Sequence, residues 1–454
     1  MLLRTFLLLF SGSLGLSLQG SGFYLTEKPD RWRFSEPTPA YETASKTEEM
    51  GTFQPGIEVQ VKEVLPEDKA WRVHFARAGQ EPLESFVDIP SLKKIDSRAV
   101  ADSAEIFAEF PLLEKLMELD YRLLHGDIRD LAKALAERDK WGVTAGSRDD
   151  PTELTLRTSE ITPVFGHEPV QLQLQKSIRG GNRIVVDVWN KGFTYQRPDF
   201  RENSARSQIR RGLNSFLEIW QNHGASHQRV RGGELTMIRD GGEVYSLPNF
   251  INLTFRHESG EYMILEITSA VPRRDAQGPP SDPAELRAFL EKQVTTSEET
   301  GHRYIENIPM INQGSRGYCV VATMGRVLNF YGFEVEINSL ANLAGTLPET
   351  AFGQGGTFLN DALRAMRQSS HNSPFRLTDI SAQSRRAERN VREAIEAGTP
   401  ILWLIPGHMN LIIGYHPEGE GIVYSDSWGP GHEFKTMSWD KFHHYNQGMY
   451  LLRP

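Results

Sequence analysis

The cysteine content of this chain singles out one residue. Cys319 is the only cysteine in 454 residues. The apolar positions from Val320 to Tyr331 repeat at helical spacing and stop at Gly332, a common residue after the last turn of a helix. Cys319 is therefore predicted to begin a helix, after a turn that Gly314 and Gly317 permit. At that place the helix dipole and free N–H groups favour the reactive thiolate. The alternative is a buried, inert cysteine.

A histidine and a carboxylate follow the cysteine at the ends of predicted strands. The apolar segments 401–405 and 409–415 predict two strands joined by a Pro-Gly turn, and His408 begins the second of them. Segment 422–425 predicts a third strand, which ends at Asp426. A cysteine on a helix, a histidine on a strand and an acid after the next strand are the parts of a nucleophile, base and orienter triad. Four other histidines compete for the role of base: His416, His432, His443 and His444.

Three short motifs resemble those of the papain-like cysteine peptidases. The group resembled is the bacterial one that includes the double-glycine leader (bacteriocin-processing) peptidases. Residues 313–319 match the pattern Gln-Gly-x-x-Gly-x-Cys, and residues 408–415 match a histidine followed by an apolar strand that ends in Gly-Tyr. Residues 426–429 match Asn-Ser-Trp-Gly with Asp in place of Asn, and Asp is the orienting residue of that group. The resemblance covers roughly residues 305–454.

The resemblance implies a catalytic role for four residues. Cys319 would attack the scissile carbonyl, and His408 would take the thiol proton and later give it to the leaving amine. Asp426 would accept a hydrogen bond from the second ring nitrogen of His408 and so fix its tautomer. The side-chain amide of Gln313 and the backbone N–H of Cys319 would form the oxyanion hole.

The resemblance also implies three residues that contact or cover the substrate site. Trp428 would cover the contact between the histidine and the acid, and the pair Gly355-Gly356 would hold substrate backbone in the cleft. This chain departs from the papain branch of the family at Val320-Val321, where that branch has an aromatic residue directly after the cysteine. The chain also lacks that branch's disulfides. The resemblance thus implies the chemistry and leaves the substrate preference open.

The N-terminus is typical of an export signal. Arg4 supplies a positive charge, the residues up to Leu18 supply a short apolar stretch, and residues 17–22 offer small side chains for cleavage. Serine and glycine interrupt the apolar stretch, which is too short for a membrane span. We therefore expect a secreted or periplasmic protein with a signal peptide at residues 1–22.

The remaining sequence predicts an α+β multidomain protein. Alternating patterns at 57–64 and 70–75 predict a small β module that resembles an SH3-like barrel. A helical period over 99–141 predicts a helical hairpin that serves as linker or core, and mixed strands with a helix at 204–222 predict a central α+β domain. The Pro-rich stretch at 272–283 predicts a linker. The predicted segments are the SH3-like module with its lead-in at 23–98, the helical linker at 99–148, the α+β domain at 149–271, the linker and short helix at 272–303, and the papain-like α+β peptidase domain at 304–454.

Composition and motifs narrow the classes of function. The net charge of −9 disfavours a broad nucleic-acid surface, which needs clustered Lys and Arg. The sequence has no His-Glu-x-x-His motif, cysteine pair or Asp-rich calcium loop, so neither a metal nor another cofactor is predicted. The preferred function is therefore an exported cysteine peptidase that hydrolyses peptide or protein substrates. Two alternatives stay open: a cell-wall peptide hydrolase or transpeptidase on the same fold, and a non-catalytic extracellular binding scaffold.

Overall fold

The protein is represented by a computed structural model. The predicted signal peptide at 1–22, the Pro-rich stretch at 272–281 and Gly355 lie outside the residues that it describes. The described residues are 23–25, 31–34, 38–53, 58–65, 70–75, 83–88, 97–117, 122–138, 141–146, 151–156, 163–177, 181–191, 200–231, 241–247, 251–269, 282–314, 317–333, 335–347, 356–357, 361–362, 376–381 and 385–453.

Of the described elements, seven strands come first along the chain, five helices follow, and the remaining strands and helices are mixed. Within the described residues the α-helices are α1 Ser97–Asp102, α2 Ala104–Glu109, α3 Pro111–Met117, α4 Arg122–His125, α5 Ile128–Arg138, α6 Glu202–Trp220, α7 Pro283–Glu291, α8 Cys319–Phe330, α9 Ile337–Leu343, α10 Arg385–Glu396 and α11 Trp439–Tyr445. The strands are β1 Phe23–Leu25, β2 Arg31–Phe34, β3 Thr38–Tyr41, β4 Glu49–Phe53, β5 Glu58–Leu65, β6 Ala70–Phe75, β7 Leu83–Asp88, β8 Trp141–Gly146, β9 Pro151–Leu156, β10 Gln171–Lys176, β11 Asn182–Asn190, β12 Ser226–Arg231, β13 Gly241–Leu247, β14 Ile251–Glu258, β15 Tyr262–Ser269, β16 Val294–Thr296, β17 Arg303–Ile305, β18 Arg376–Asp379, β19 Ile401–Ile405, β20 His408–Tyr415, β21 Gly421–Ser425, β22 Lys435–Ser438 and β23 Gly448–Arg453.

The described strands form antiparallel sheets. The first sheet has the order β1-β2-β5-β6-β7-β3-β4, and it contains the two alternating segments that the sequence predicts as strands. Val59 on β5, Trp71 and Val73 on β6 and Val87 on β7 are buried, because alternate residues of each strand point to the same side. A small β module is therefore present in this region, and its SH3-like identity stays a prediction.

The second sheet has the order β12-β13-β14-β15-β11-β10-β9-β8, and one of its faces carries an apolar core. Ile184 and Val186 of β11 belong to this core. Phe107 of α2 and Phe216 of α6 pack in the same core, with ring centroids 5.6 Å apart. The helical segment of the predicted range 99–148 thus shares a core with the sheet, and the boundaries of the predicted segments stay predictions.

The opposite face of the second sheet is polar and is also buried. Arg183 of β11 and Glu266 of β15 form an ion pair at 3.3 Å on this face. The hydroxyl of Tyr262, also on β15, lies 3.2 Å from Oγ of Ser339 on α9. Burial raises the pKa of Glu336, which caps α9 and lies within electrostatic reach of Arg183 and Glu266. The unit built on the second sheet, called the central unit below, and the C-terminal unit that contains α9 therefore meet through polar side chains.

The third sheet, of order β16-β17-β20-β19-β23-β18, packs with α8 in a separate apolar core. Strand β21 extends this sheet from β20 and pairs with β22. Helix α8 carries apolar residues on all its sides and is buried along almost its whole length, as expected for a helix inside a core. Leu286 and Leu290 of α7 belong to the same core. None of the helices in the described parts of the chain is long and apolar enough to cross a membrane.

Candidate active site

Cys319 occupies the first position of helix α8, as the sequence predicts. Its thiol is partly buried, and burial raises the pKa of this thiol. The backbone N–H groups of Met409, Val320 and Cys319 itself act on the sulfur and oppose that rise in pKa. Since Met409 directly follows His408 in β20, the thiol lies against the start of the strand that carries the predicted base.

A second contact fixes the helix against this strand. Thr323, one turn after the cysteine, donates its hydroxyl hydrogen bond to the carbonyl oxygen of Met409 at 3.1 Å. The backbone of Met409 therefore lies against the first turn of α8. A shift of the helix along β20 would break the bond from Thr323, so this bond helps to hold the thiol near the start of the strand.

His408 is the first residue of β20, and its ring lies beside the indole of Trp428. The two rings are stacked at 21°, with centroids 5.9 Å apart, and Trp428 is 52% exposed. Burial lowers the pKa of His408, the charge of Asp426 opposes this change, and the charge of Lys435 adds to it. Nε2 of His408 is buried and has no hydrogen-bond partner in the described part of the chain. Among the described residues no hydrogen bond joins His408 to Cys319.

Asp426 is buried next to the site, and its carboxylate is held by residues other than His408. Nδ1 of His432 lies 2.9 Å from Oδ1 and 3.0 Å from Oδ2, and Nζ of Lys435 donates to Oδ2 at 2.9 Å. The backbone N–H of Trp428 donates to Oδ1 at 3.0 Å. Burial by itself raises the pKa of Asp426, but these three hydrogen bonds outweigh burial and the pKa is lowered. The described contact between Asp426 and His408 is thus electrostatic, without a hydrogen bond.

Gln313 is only 4% exposed and is fixed by Ser427, the residue between Asp426 and Trp428. Its backbone N–H donates to the carbonyl oxygen of Ser427 at 2.9 Å. The hydroxyl of Ser427 donates to Oε1 of Gln313 at 2.6 Å. The loop before the nucleophile and the segment after β21 are therefore held together at the two residues that the sequence motifs contain.

Gly356 lies against the loop that precedes the nucleophile. Its backbone N–H and carbonyl each bond to Leu347 at 2.9 Å. The backbone φ angle of Gly356 is +103°, and a Cβ atom at this position would lie 2.9 Å from the carbonyl oxygen of Gly317. The close approach explains why glycine stands here.

The buried side chain of Arg326 connects three parts of the site. It lies two helical turns after Cys319 and is 1% exposed. Its guanidinium donates to the carbonyl oxygens of Pro309 and Asp426, at 2.9 Å and 3.0 Å, and to Oγ of Ser425 at 2.7 Å. The helix that begins at Cys319, the loop before it and the strand end before Asp426 are therefore tied by one side chain.

The other competing histidines have partners elsewhere. Nε2 of His416 lies 3.9 Å from a carboxylate oxygen of Glu420, and Nε2 of His443 lies 3.4 Å from one of Glu388. His444 is exposed. Within the described chain none of these three forms a hydrogen bond or an ion pair with the predicted nucleophile.

Sequence reasoning did not assign roles to several residues that hold the site. His432 was a competing base, and it binds Asp426 instead. The sequence signals for the other two residues were weak. Ser427 belongs to the Ser-Trp-Gly motif, and Lys435 lies on the next strand. A single arginine among the apolar residues of a predicted core helix is a stronger signal, because a buried cation needs fixed partners. That signal would have found Arg326.

Comparison with known proteins adds one finding. No curated protein and no solved structure matches this chain. Among the described residues no group of three or more His, Cys, Asp and Glu is arranged to hold a metal ion. Residues 305–450 match the Peptidase_C39 like family, and this range contains Cys319, His408 and Asp426. The C-terminal third of the chain is therefore a domain of the Peptidase_C39-like family.

Proposed function

We propose that the protein is a cysteine peptidase with Cys319 as nucleophile and His408 as base. The observation that carries this proposal is the position of the only cysteine. It begins a helix inside the matched family domain, and the first turn of that helix lies against Met409, the residue next to His408, whose backbone N–H lowers the pKa of the thiol. Free N–H groups at a helix start stabilise a developing thiolate.

The directions of the pKa changes indicate how the pair begins the reaction. Burial raises the pKa of Cys319 and lowers the pKa of His408, so both changes favour the thiol and the neutral imidazole over an ion pair before substrate binds. His408 then takes the thiol proton as the sulfur attacks the scissile carbonyl carbon. The S–C bond forms, the C–N bond breaks, and the amine leaves with the proton from the imidazolium. Water then attacks the thioester, with His408 again as base, and releases the acid and the thiol.

Asp426 is proposed as the orienting acid, in an arrangement with two states. Nε2 of His408 is buried and unpaired, which is costly for a polar atom. The carboxylate of Asp426 is near enough to raise the pKa of His408, and its present partners are His432 and Lys435. A turn of the Asp426 side chain from His432 towards His408 would satisfy Nε2 and stabilise the imidazolium that forms on proton transfer. Catalytic hydrogen bonds commonly tighten only when substrate binds.

Gln313 and the backbone N–H of Cys319 are proposed to form the oxyanion hole. The bond from Ser427 to Oε1 fixes the rotation of the Gln313 amide and directs its NH₂ group away from Ser427. Donors fixed before the reaction stabilise the oxyanion without reorganisation at the moment of attack.

Peptides or proteins are the proposed substrates, and a location outside the cytoplasm is proposed from the N-terminal sequence alone. Trp428, which is half exposed above His408, and the pair Gly355-Gly356 are proposed to border the substrate groove. Because the backbone N–H and carbonyl of Gly356 are paired with Leu347, Gly356 is proposed to form part of the groove wall, where it presents no side chain to the substrate. Cell-wall peptides remain an alternative substrate class. Profiling of released peptides and wall fragments from wild type and Cys319→Ala would distinguish the two.

Alkylation of the thiol tests the proposed base independently of the substrate. The rate of iodoacetamide modification of Cys319 is measured from pH 5 to 9 in wild type, His408→Ala and His444→Ala. If His408 is the base, it takes the thiol proton as the sulfur attacks the reagent, so wild type and the exposed control His444→Ala react well below pH 8. His408→Ala has no base for this step and reacts only as pH rises toward the raised thiol pKa. With a peptide substrate, His408→Ala should lose about a thousandfold or more in kcat. Equal alkylation profiles in all three proteins would show an ordinary thiol and would favour a binding scaffold.

A further inference from the structure

The central unit contacts the proposed site through a backbone carbonyl of one of its strands. Strand β8 lies at one edge of the second sheet. The carbonyl oxygen of Thr144 in this strand accepts a hydrogen bond from Nδ2 of Asn312 at 2.8 Å. Oδ1 of Asn312 in turn accepts the backbone N–H of Gly314 at 2.8 Å. The side chain of Asn312 therefore links Thr144 of the central unit to Gly314, the residue after Gln313.

The same carbonyl lies against the second loop of the site. Gly429 follows Trp428 and has a φ angle of +98°. A Cβ atom on Gly429 would lie 2.5 Å from the oxygen of Thr144 and 2.8 Å from Nδ2 of Asn312. One oxygen of the central unit is thus in contact with the loop that carries Gln313 and with the loop that carries Trp428.

The carbonyl of Thr144 is available because the pairing of β8 with β9 is irregular at this residue. The register shifts between Val143 and Ala145, and such a bulge turns a backbone group out of the ladder. The side chain of Thr144 remains bound to its own unit, since its hydroxyl lies 2.7 Å from Oε1 of Glu153 and 2.8 Å from Oγ1 of Thr155. The strand that carries this carbonyl is therefore held within its own unit, which fixes the direction of the carbonyl oxygen.

We propose that Asn312 is a positioning residue that couples the central unit to the oxyanion loop, and that the central unit is a permanent wall of the active site. This inference rests on the proposed function. The bond to Thr144 fixes the Asn312 amide, the amide fixes Gly314, and Gln313 between them is held in place for the oxyanion. The polar contact between Tyr262 and Ser339 keeps the two units in the same relation. A pro-region that leaves on activation would remove this support.

Asn312→Asp separates the two bonds of the bridge. The introduced carboxylate still accepts the N–H of Gly314, but it has no donor for the carbonyl of Thr144 and repels it. We expect kcat for a peptide to fall by about tenfold or more, with KM little changed, because small displacements of catalytic donors are costly. Alkylation of Cys319 makes no use of an oxyanion hole, so its rate and pH profile should stay at the wild-type values. Asn307→Asp is the control, since it adds the same charge at an exposed asparagine of the same domain.

The pH dependence separates positioning from a general structural defect. At acidic pH the introduced carboxyl is protonated and can again donate to the carbonyl of Thr144, so the ratio of the kcat values of Asn312→Asp and wild type should rise as pH falls. A ratio that is constant with pH, or an equal loss in alkylation and hydrolysis, would overturn the positioning role. Wild-type activity retained by Asn312→Asp would also overturn it, and the peptidase proposal would stand. If wild type shows no hydrolysis that depends on Cys319, both proposals fail together.

Cleavage between the units tests the permanent wall. A recognition sequence for an added protease is placed within residues 272–281 of the full chain, and hydrolysis is measured before and after cutting. Unchanged activity with fragments that remain associated supports the wall. An increase in activity on cutting would identify the central unit as a pro-region and would overturn the inference.

Discussion

Replacement of Arg326 by methionine tests whether one buried side chain holds the site together. Methionine keeps most of the length and the apolar stem, but it removes all three donors. The hydroxyl of Ser425 retains a bond, because it also donates to the carbonyl of His432 at 3.2 Å. The carbonyl oxygens of Pro309 and Asp426 lose the guanidinium; that of Asp426 stays buried and that of Pro309 stays partly buried.

The magnitude follows from these two carbonyls. A buried polar group left without its partner costs about 1–3 kcal/mol, and the partly buried carbonyl of Pro309 costs less than the buried one of Asp426, so the two together cost about 2–5 kcal/mol. Removal of a desolvated cation offsets part of this cost; burial lowers the pKa of Arg326 to about 10, which indicates that the charge is disfavoured where it lies. We expect the free energy of unfolding to fall by about 3 kcal/mol. With a urea m-value of about 2–3 kcal/mol/M, the midpoint shifts by roughly 1 M.

The assay is urea unfolding of the full chain, followed by tryptophan fluorescence, with hydrolysis measured in parallel. Arg392→Met is the matched control, since Arg392 also donates to a proline carbonyl, that of Pro417 at 3.1 Å, but near the surface. A partly solvated bond of this kind should contribute less than about 1 kcal/mol. If Arg326→Met shifts the midpoint no further than Arg392→Met does, the reasoning from buried carbonyls is refuted.

Two further substitutions probe the charges and the backbone of the site. Lys435→Met removes a cation that lowers the pKa of His408, so this pKa should rise, and the pH at which activity is lost on acidification should move upward; a pH profile of kcat/KM checks the direction, and a downward move would contradict it. Gly356→Ala adds a Cβ atom 2.9 Å from the carbonyl of Gly317 at a φ angle of +103°, so it should reduce kcat and cost about 1–2 kcal/mol of stability. Wild-type kinetics in Gly356→Ala would show that the contact with the nucleophile loop can relax.

The elements that carry the predicted chemistry could be found from local patterns. The helix after Cys319 has apolar residues on all its sides and is followed by a glycine, and the strand after His408 is a continuous apolar run. Such features depend on neighbours in sequence, so one chain is enough to find them. The order of the three motifs along the chain then limited the families that the sequence could resemble, and the match over residues 305–450 agrees with that resemblance.

The partners of the site residues could not be found in this way. Asp426 has a carboxylate that any nearby cation can bind, and the sequence does not say whether His408, His432 or Lys435 is the nearest. The contact between Thr144 and Asn312 joins positions 168 residues apart, and it depends on a bulge in β8 that no residue type requires. Long-range polar pairs of this kind follow from the packing of whole units and leave no periodic pattern in the sequence.

The stacking of Trp428 on His408 has a consequence for the charge that the proposed mechanism would place on the imidazole. The centroid separation of 5.9 Å at 21° puts the imidazole over the indole face, within the range of a cation–π interaction. A neutral imidazole gains little from the negative face of the indole, whereas a protonated one is attracted to it. If His408 is the base, as proposed, the indole would therefore favour the imidazolium over the neutral ring and lower the energy of proton transfer.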